Sequence, residues 1–182
     1  MEDDSILIKR YLEGEEEGLK ILIDKYTSSV YNFTLRFIGP LNTSDVVQEV
    51  FIKVWKNLKN FNEDKSQFKT WLFIITRNSI TDYYRKKKSI PFSSLREEEL
   101  NEDEIKDEAI LPDEMLEKLQ DKEILNKILN ELPENYRMIL ALYYQEDMTF
   151  KEIGEVLGKP LNTVKSYHFR AIKLLKKLCT KI

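Results

Sequence analysis

The sequence predicts an all-α protein built from two small helical domains joined by a flexible acidic linker. Three observations carry this. Only five glycines and five prolines are spread over 182 residues. Apolar residues recur at spacings of three and four, and alternating strand patterns are scarce. The net charge of −3 is a sum of opposed blocks. Residues 1–88 hold 15 basic and 13 acidic side chains, residues 89–120 hold 3 and 11, and residues 121–182 hold 11 and 8. The acidic stretch contains Pro91, Pro112, Ser93 and Ser94 and no sustained apolar period, which marks a linker. The expected boundaries are 1–88, 89–112 and 113–182.

In the first domain a short helix is expected from Ser5 to Leu12, stopping near Gly14. A long helix should run from Glu15 to Phe37 on the stripe Leu19, Leu22, Ile23, Tyr26, Val30, Phe33 and Phe37. Gly39 and Pro40 end it. Asn42 can cap a third helix to Leu58, with Val46, Val47, Val50, Phe51, Val54, Trp55 and Leu58 inward. After a loop, a fourth helix is expected from Ser66 to Lys87, with Phe68, Trp71, Leu72, Ile75 and Ser79 inward. Arg85, Lys86, Lys87 and Lys88 close the domain, where the helix dipole favours cations.

The second domain should start with a helix from Asp113 to Asn130. Pro133 suits the first turn of the next, which runs to Tyr144. Thr149 and Glu152 form a capping box, opening a helix with Ile153, Val156 and Leu157 inward. Gly158, Lys159 and Pro160 turn the chain, and Asn162 can cap a last helix to Leu178. This is a helix-turn-helix pattern. Val164, His168, Ile172 and Leu175 make the inner stripe of the last helix. Lys165, Ser166, Phe169, Arg170 and Lys173 form an adjoining face. That face offers cations for phosphates, a guanidinium for a guanine edge and a ring for a thymine methyl. It points to duplex DNA.

Several classes are argued against. The longest apolar run, Met138 to Tyr144, is far short of a membrane span, so no direct membrane insertion is expected. The acidic start Met1, Glu2, Asp3, Asp4 is unlike a basic secretory leader, and the expected location is cytoplasmic. One cysteine, Cys179, allows no internal disulfide, and one histidine, His168, gives no basis for a His-based metal centre. No cofactor is expected. An enzyme is disfavoured, because the acids are densest in the linker, where no scaffold fixes metal geometry. No Gly-rich phosphate loop or His/Cys cluster occurs.

The residues then show a family resemblance. LPENYRMILALYYQEDMTFKEIGEVLGKPLNTVKSYHFRAIKLL, from Leu132 onward, resembles region 4 of sigma-70 family transcription initiation factors. DVVQEVFIKVWKNLKNF followed by FKTWLFIITRNSITDYYRKKK resembles their region 2. The short length and the lack of a domain between them resemble the extracytoplasmic function group. The resemblance implies a factor that binds core RNA polymerase and directs it to promoter DNA, with an anti-sigma factor as a further partner. Core polymerase would bind Asp45, Gln48, Glu49, Ile52 and Lys53. The melted −10 element would be held by Asn62, Lys65, Ser66, Lys69, Thr70, Phe73, Arg77, Asn78, Thr81, Tyr84 and Arg85. The −35 duplex would be read by Asn162, Thr163, Lys165, Ser166, Tyr167, Phe169, Arg170 and Lys173. Two positions depart from the family pattern. Tyr167 stands where Arg is frequent. His168 stands where an apolar residue is usual, and it is expected to be partly buried with a local hydrogen-bond partner. Cys179 is expected to be an inert thiol. The linker acids, Glu97 to Glu108, are candidates for mimicking RNA charge in a polymerase channel. The rival reading is a helix-turn-helix regulator that binds duplex DNA without polymerase. It accounts for residues 149–178 and leaves the pattern from Asp45 to Lys88 idle.

Overall fold

The computed structural model describes residues 2–87 and 128–179. The expected linker, with its RNA-mimicry candidates, and most of the helix expected from Asp113 to Asn130 lie outside them. The chain divides into two compact units, and all regular structure among the described residues is helical.

The first unit begins with α1, Asp4–Leu12. The Asp3 carboxylate caps it, accepting from the Ser5 amide at 2.9 Å and the Ser5 hydroxyl at 2.7 Å. Helix α2 spans Glu16–Ile38. The two pack closely at Gly18, where a Cβ would stand 2.4 Å from the Leu7 carbonyl oxygen. Asp4 also ties them, accepting from Lys25 Nζ at 2.6 Å and Tyr26 Oη at 2.5 Å.

Helix α3, Pro40–Asn57, starts two residues before the expected cap Asn42. Gly39, at φ 80°, ends α2 and opens α3 at once. Pro40 then sits at the first helical position, where its missing N–H costs nothing. The Thr43 hydroxyl donates to the Gly39 carbonyl at 2.7 Å. A 3-10 turn, Leu58–Asn60, and a loop lead to α4, Phe68–Lys86.

The core of this unit includes Leu7, Leu22, Val30, Val50, Val54, Leu58 and Leu72. It corrects two expectations. Trp55, expected inward, is 52% exposed. Thr70 and Phe73, expected on the outer surface of α4, are 1% and 0% exposed. The reason is that α4 packs against both α2 and α3. Its buried arc therefore carries two stripes, one through Phe68, Leu72 and Ser79 and one through Phe73, Thr76 and Ile80. Phe73 meets Phe33 edge-on at 5.2 Å.

In the second unit, residues 128–131 are helical. Helix α5 spans Glu134–Tyr144, with Pro133 at the cap rather than in the first turn. Helices α6, Phe150–Leu157, and α7, Leu161–Cys179, follow. The capping box forms as read. Glu152 accepts from the Thr149 amide at 2.7 Å, and the Glu152 amide donates to Thr149 Oγ1 at 3.3 Å. The turn closes through the Lys159 amide, which donates to the Gly154 carbonyl at 2.9 Å. A Cβ on Gly154 would stand 2.8 Å from the Lys159 carbonyl oxygen, so the approach needs glycine there. Helix α7 starts at Leu161, and the Val164 amide donates to Pro160. Asn162 therefore lies inside the first turn and is not the cap.

Replacing Phe73 by Ala should cost about 3–5 kcal/mol of the first unit's stability. Trp55 and Trp71 are the two tryptophans, both in this unit, so denaturant unfolding followed by tryptophan fluorescence reads it. A loss under 1 kcal/mol would contradict the buried placement.

Candidate functional site

The helix-turn-helix presents the face read from its spacing. Val164, His168, Ile172 and Leu175 are all buried, as that stripe requires. Lys165, Lys173 and Asn162 are exposed, and Thr163, Ser166, Phe169 and Arg170 are half-buried. Ser166 Oγ donates to the Asn162 carbonyl at 2.9 Å, so its hydroxyl is held against its own helix and keeps lone pairs for an incoming donor. The half-buried Tyr167 packs against Tyr136 of α5, ring centroids 5.7 Å apart. The Arg170 guanidinium lies 6.0 Å from the Tyr167 ring. Arg170 thus lies at cation–π range over the Tyr167 ring. Tyr136 is a neighbour the sequence reading missed, since no helical spacing links it to Tyr167.

His168, expected to be partly buried with a local hydrogen-bond partner, is 8% exposed, and its Nε2 does not find one. That atom is buried with no hydrogen-bond partner among the described residues. The ring sits among Tyr143, Phe150 and Tyr144, at centroid distances of 4.9, 5.1 and 5.7 Å. Burial pulls its pKa below the ordinary 6.5, so the neutral imidazole packs as an aromatic. Cys179 is 1% exposed in the core of this unit.

In the first unit, α3 turns Asp45, Gln48 and Ile52 outwards, with Ile52 41% exposed, and Glu49 is half-buried. Lys53 points elsewhere, onto α4. Its Nζ lies 3.0 Å from Ser79 Oγ, 3.3 Å from Asp82 and 3.0 Å from Glu49. On α4, Asn78 and Arg85 are exposed, while Lys69, Arg77, Thr81 and Tyr84 are half-buried. Several of these carry internal bonds. Thr81 donates to the Arg77 carbonyl at 3.0 Å, and Tyr84 Oη donates to the Phe37 carbonyl. Arg85 pairs with Asp82 at 2.9 Å. Arg77 Nη1 donates to Asn78 at 3.2 Å, and burial pulls its pKa below the ordinary guanidinium range.

The loop before α4 is shaped by Asn62, whose side-chain oxygen accepts from the Asp64 amide at 2.9 Å. Asn62 and Lys65 are exposed and Ser66 is half-buried. Phe61, Phe68 and Trp71 pack together, with centroids 5.3–5.9 Å apart. Trp71 is half-buried against the core. The loop is thus fixed to an aromatic base while Asn62 and Lys65 face out. Thr70 and Phe73 do not join this surface.

Two family descriptions match the chain. Residues 22–90 match Sigma-70 region 2, and residues 122–175 match Sigma-70, region 4. Together they span well over half of it. The chain belongs to the sigma-70 family. ECF RNA polymerase sigma factor SigW of Bacillus subtilis (strain 168) is 29% identical over 177 residues, 93% of each chain. The ECF RNA polymerase sigma-E factor of Escherichia coli (strain K12) is 28% identical over 172 residues, 92% of this chain and 90% of that one. These relatives place the factor in the extracytoplasmic function group. Among solved structures, CnrH in complex with the cytosolic domain of CnrY superposes with a TM-score of 0.71 at 23% identity, covering 99% of both chains. Sigma factor RpoE in complex with the anti-sigma factor NepR, from Bartonella quintana, superposes at 0.65 and 22% identity, covering 88% of this chain and 96% of that one. Both show the same fold. Among the described residues, no helix is long and apolar enough to cross a membrane.

The histidine makes a pH prediction. Its folded-state pKa is depressed, so the stability of the neutral form is present above 6.5. That stability is lost as pH falls through the folded value, because the unfolded chain takes up a proton that the folded one resists. Far-UV circular dichroism melts should therefore show the second unit losing stability below pH 6.5, and His168→Leu should flatten that loss. Equal acid sensitivity in both proteins would refute it.

Proposed function

We propose that this factor docks on core RNA polymerase through the outward face of α3, holds the melted −10 strand with the loop before α4 and the outer arc of α4, and reads the −35 duplex with α7. The polymerase face is Asp45, Gln48, Glu49 and Ile52. An apolar residue ringed by carboxylates and an amide suits a basic helix with an apolar stripe. The strand would meet Asn62, Lys65, Ser66, Lys69, Arg77, Asn78, Thr81, Tyr84 and Arg85, by hydrogen bonds to bases and cations along the backbone. The duplex would meet Asn162, Thr163, Lys165, Ser166, Tyr167, Phe169, Arg170 and Lys173. The functional division would be 1–88 for core and −10 binding, 89–112 for the tether, and 113–182 for −35 binding. The factor would act in the cytoplasm without catalysis of its own.

One observation carries the −35 assignment. Helix α7 buries its apolar stripe in the capped helix-turn-helix and leaves the adjoining Lys165, Arg170 and Lys173 face outward. A guanidinium over the Tyr167 ring can offer two donors to one guanine edge. A protein partner is supported by the two solved relatives, one bound to CnrY and the other to an anti-sigma factor. Occupying α3 with such a partner would block polymerase by simple competition. The stand-alone regulator gives no use to the outward α3 face, and the match to region 2 disfavours it.

In run-off transcription the full chain should give promoter-specific product only with core polymerase. Arg170→Ala should weaken −35 recognition by about 1–3 kcal/mol, measured by competition between promoters that differ only in that element. Unchanged promoter preference would remove Arg170 from the readout.

A further inference from the structure

Lys53 lies one turn beyond Glu49 on the helix assigned to polymerase, yet its ammonium faces the neighbouring helix. Nζ approaches Glu49 Oε1 at 3.0 Å, Ser79 Oγ at 3.0 Å and Asp82 Oδ2 at 3.3 Å. An ammonium has three donors and no acceptor; here it donates to Ser79 and Asp82 and pairs with the Glu49 carboxylate. Ser79 is 1% exposed. A hydroxyl on the inward stripe of α4 costs stability unless it is partnered, and Lys53 is that partner. Asp82 is shared: its other oxygen holds Arg85 at 2.9 Å. A chain of contacts therefore runs from α3 through Lys53 and Asp82 to Arg85 on the outer arc of α4.

We propose that Lys53 is a positioning residue for promoter melting and not a polymerase contact. It fixes the register of α4, which would hold the strand, against α3, which would hold the polymerase. The inference rests on those two assignments. Apolar packing between two helices tolerates sliding, because many side-chain arrangements bury similar area. Two hydrogen bonds to the next helix and an ion pair on its own helix, all from one ammonium, do not. Strand separation demands such fixity, since bases held by α4 must stay in place relative to a polymerase reached through α3. The Lys53 and Asp82 side chains are each 32% exposed, so solvent screening leaves the pair little weight in overall stability. Its effect is geometric.

The test uses the full chain with core polymerase and compares wild type with Lys53→Met, Lys53→Arg, Asp82→Asn and the double variant Lys53→Met/Asp82→Asn. Core affinity is read by fluorescence anisotropy. Melting is read by permanganate reactivity of −10 thymines on duplex and on premelted promoter. Lys53→Met should keep core affinity, lower the thermal midpoint by only the few degrees that an unpartnered Ser79 hydroxyl costs, and lose about tenfold in duplex melting, more than that fall accounts for. The loss should shrink on premelted promoter. The double variant should be no worse than Lys53→Met, because both break one contact chain, and Lys53→Arg should recover part of the melting. Reduced core affinity with normal melting at saturating factor would overturn the proposal in favour of a polymerase contact. A parallel fall in thermal midpoint that accounts for the melting loss would overturn it in favour of a purely structural role. Should Lys53→Met fail to fold, Asp82→Asn alone decides, with the same expected and overturning outcomes. Failure of the wild-type chain to bind core or direct transcription would instead overturn the functional reading, and needs no variant to be seen.

Discussion

Phe73 packs edge-on against Phe33 at 5.2 Å, and this contact sets which arc of α4 is left facing outwards. A helix has one circumference to divide between its core and its partners. Because α2 and α3 both claim α4, two stripes are spent on packing, and the side chains proposed to hold the strand share what remains. That explains why so many of them are half-buried and internally bonded. Thr81 is held to Arg77, Tyr84 to Phe37, and Arg85 to Asp82. Rotating α4 enough to expose Phe73 would withdraw Arg85 from the surface and leave the Ser79 hydroxyl without Lys53.

The two units handle their positive charge differently. In the first, Glu49 and Asp82 sit among Lys53, Arg85 and Lys86, at 2.9–3.9 Å. In the second, no acidic residue follows Glu155, so α7 carries Lys165, Arg170 and Lys173 with no carboxylate of its own. Counterion release should therefore contribute more to what α7 binds than to what α4 binds. On the proposed assignments, a helix that reads an intact, highly charged duplex gains from a run of cations without carboxylates between them. One that holds an opened strand gains more from fixed geometry.

Much of this was legible in the sequence. The capping box at Thr149 and Glu152 was readable because both partners lie within one turn. The inner stripe of α7 was readable because one packing partner leaves one stripe, at regular spacing. Reading failed where a second layer intervened. Phe73 and Thr70 fall off the strongest stripe of α4, and only the joint packing of α2 and α3 buries them. Trp55 falls on the apolar period of α3 but past the edge of the buried arc, so periodicity alone placed it inside. Asn42 and Asn162 are good capping residues that went unused, because Pro40 and Leu161 had already begun the helix. For His168 the residue type suggested a polar partner, whereas Tyr143, Tyr144 and Phe150 supply rings. Those residues come from α5 and α6, so nothing local to α7 announces them.

The chain has a single cysteine, and that thiol is 1% exposed in the core of the second unit. Both tryptophans belong to the first unit. The protein thus carries a separate intrinsic reporter in each half. Alkylation of Cys179 by a thiol reagent must wait for its core to open, so the labelling rate is a clock for local opening of the helix-turn-helix unit. The indoles are blind to that event and report the other unit. Ligand effects on the two halves can therefore be timed independently in the unmodified chain, with no engineered probe.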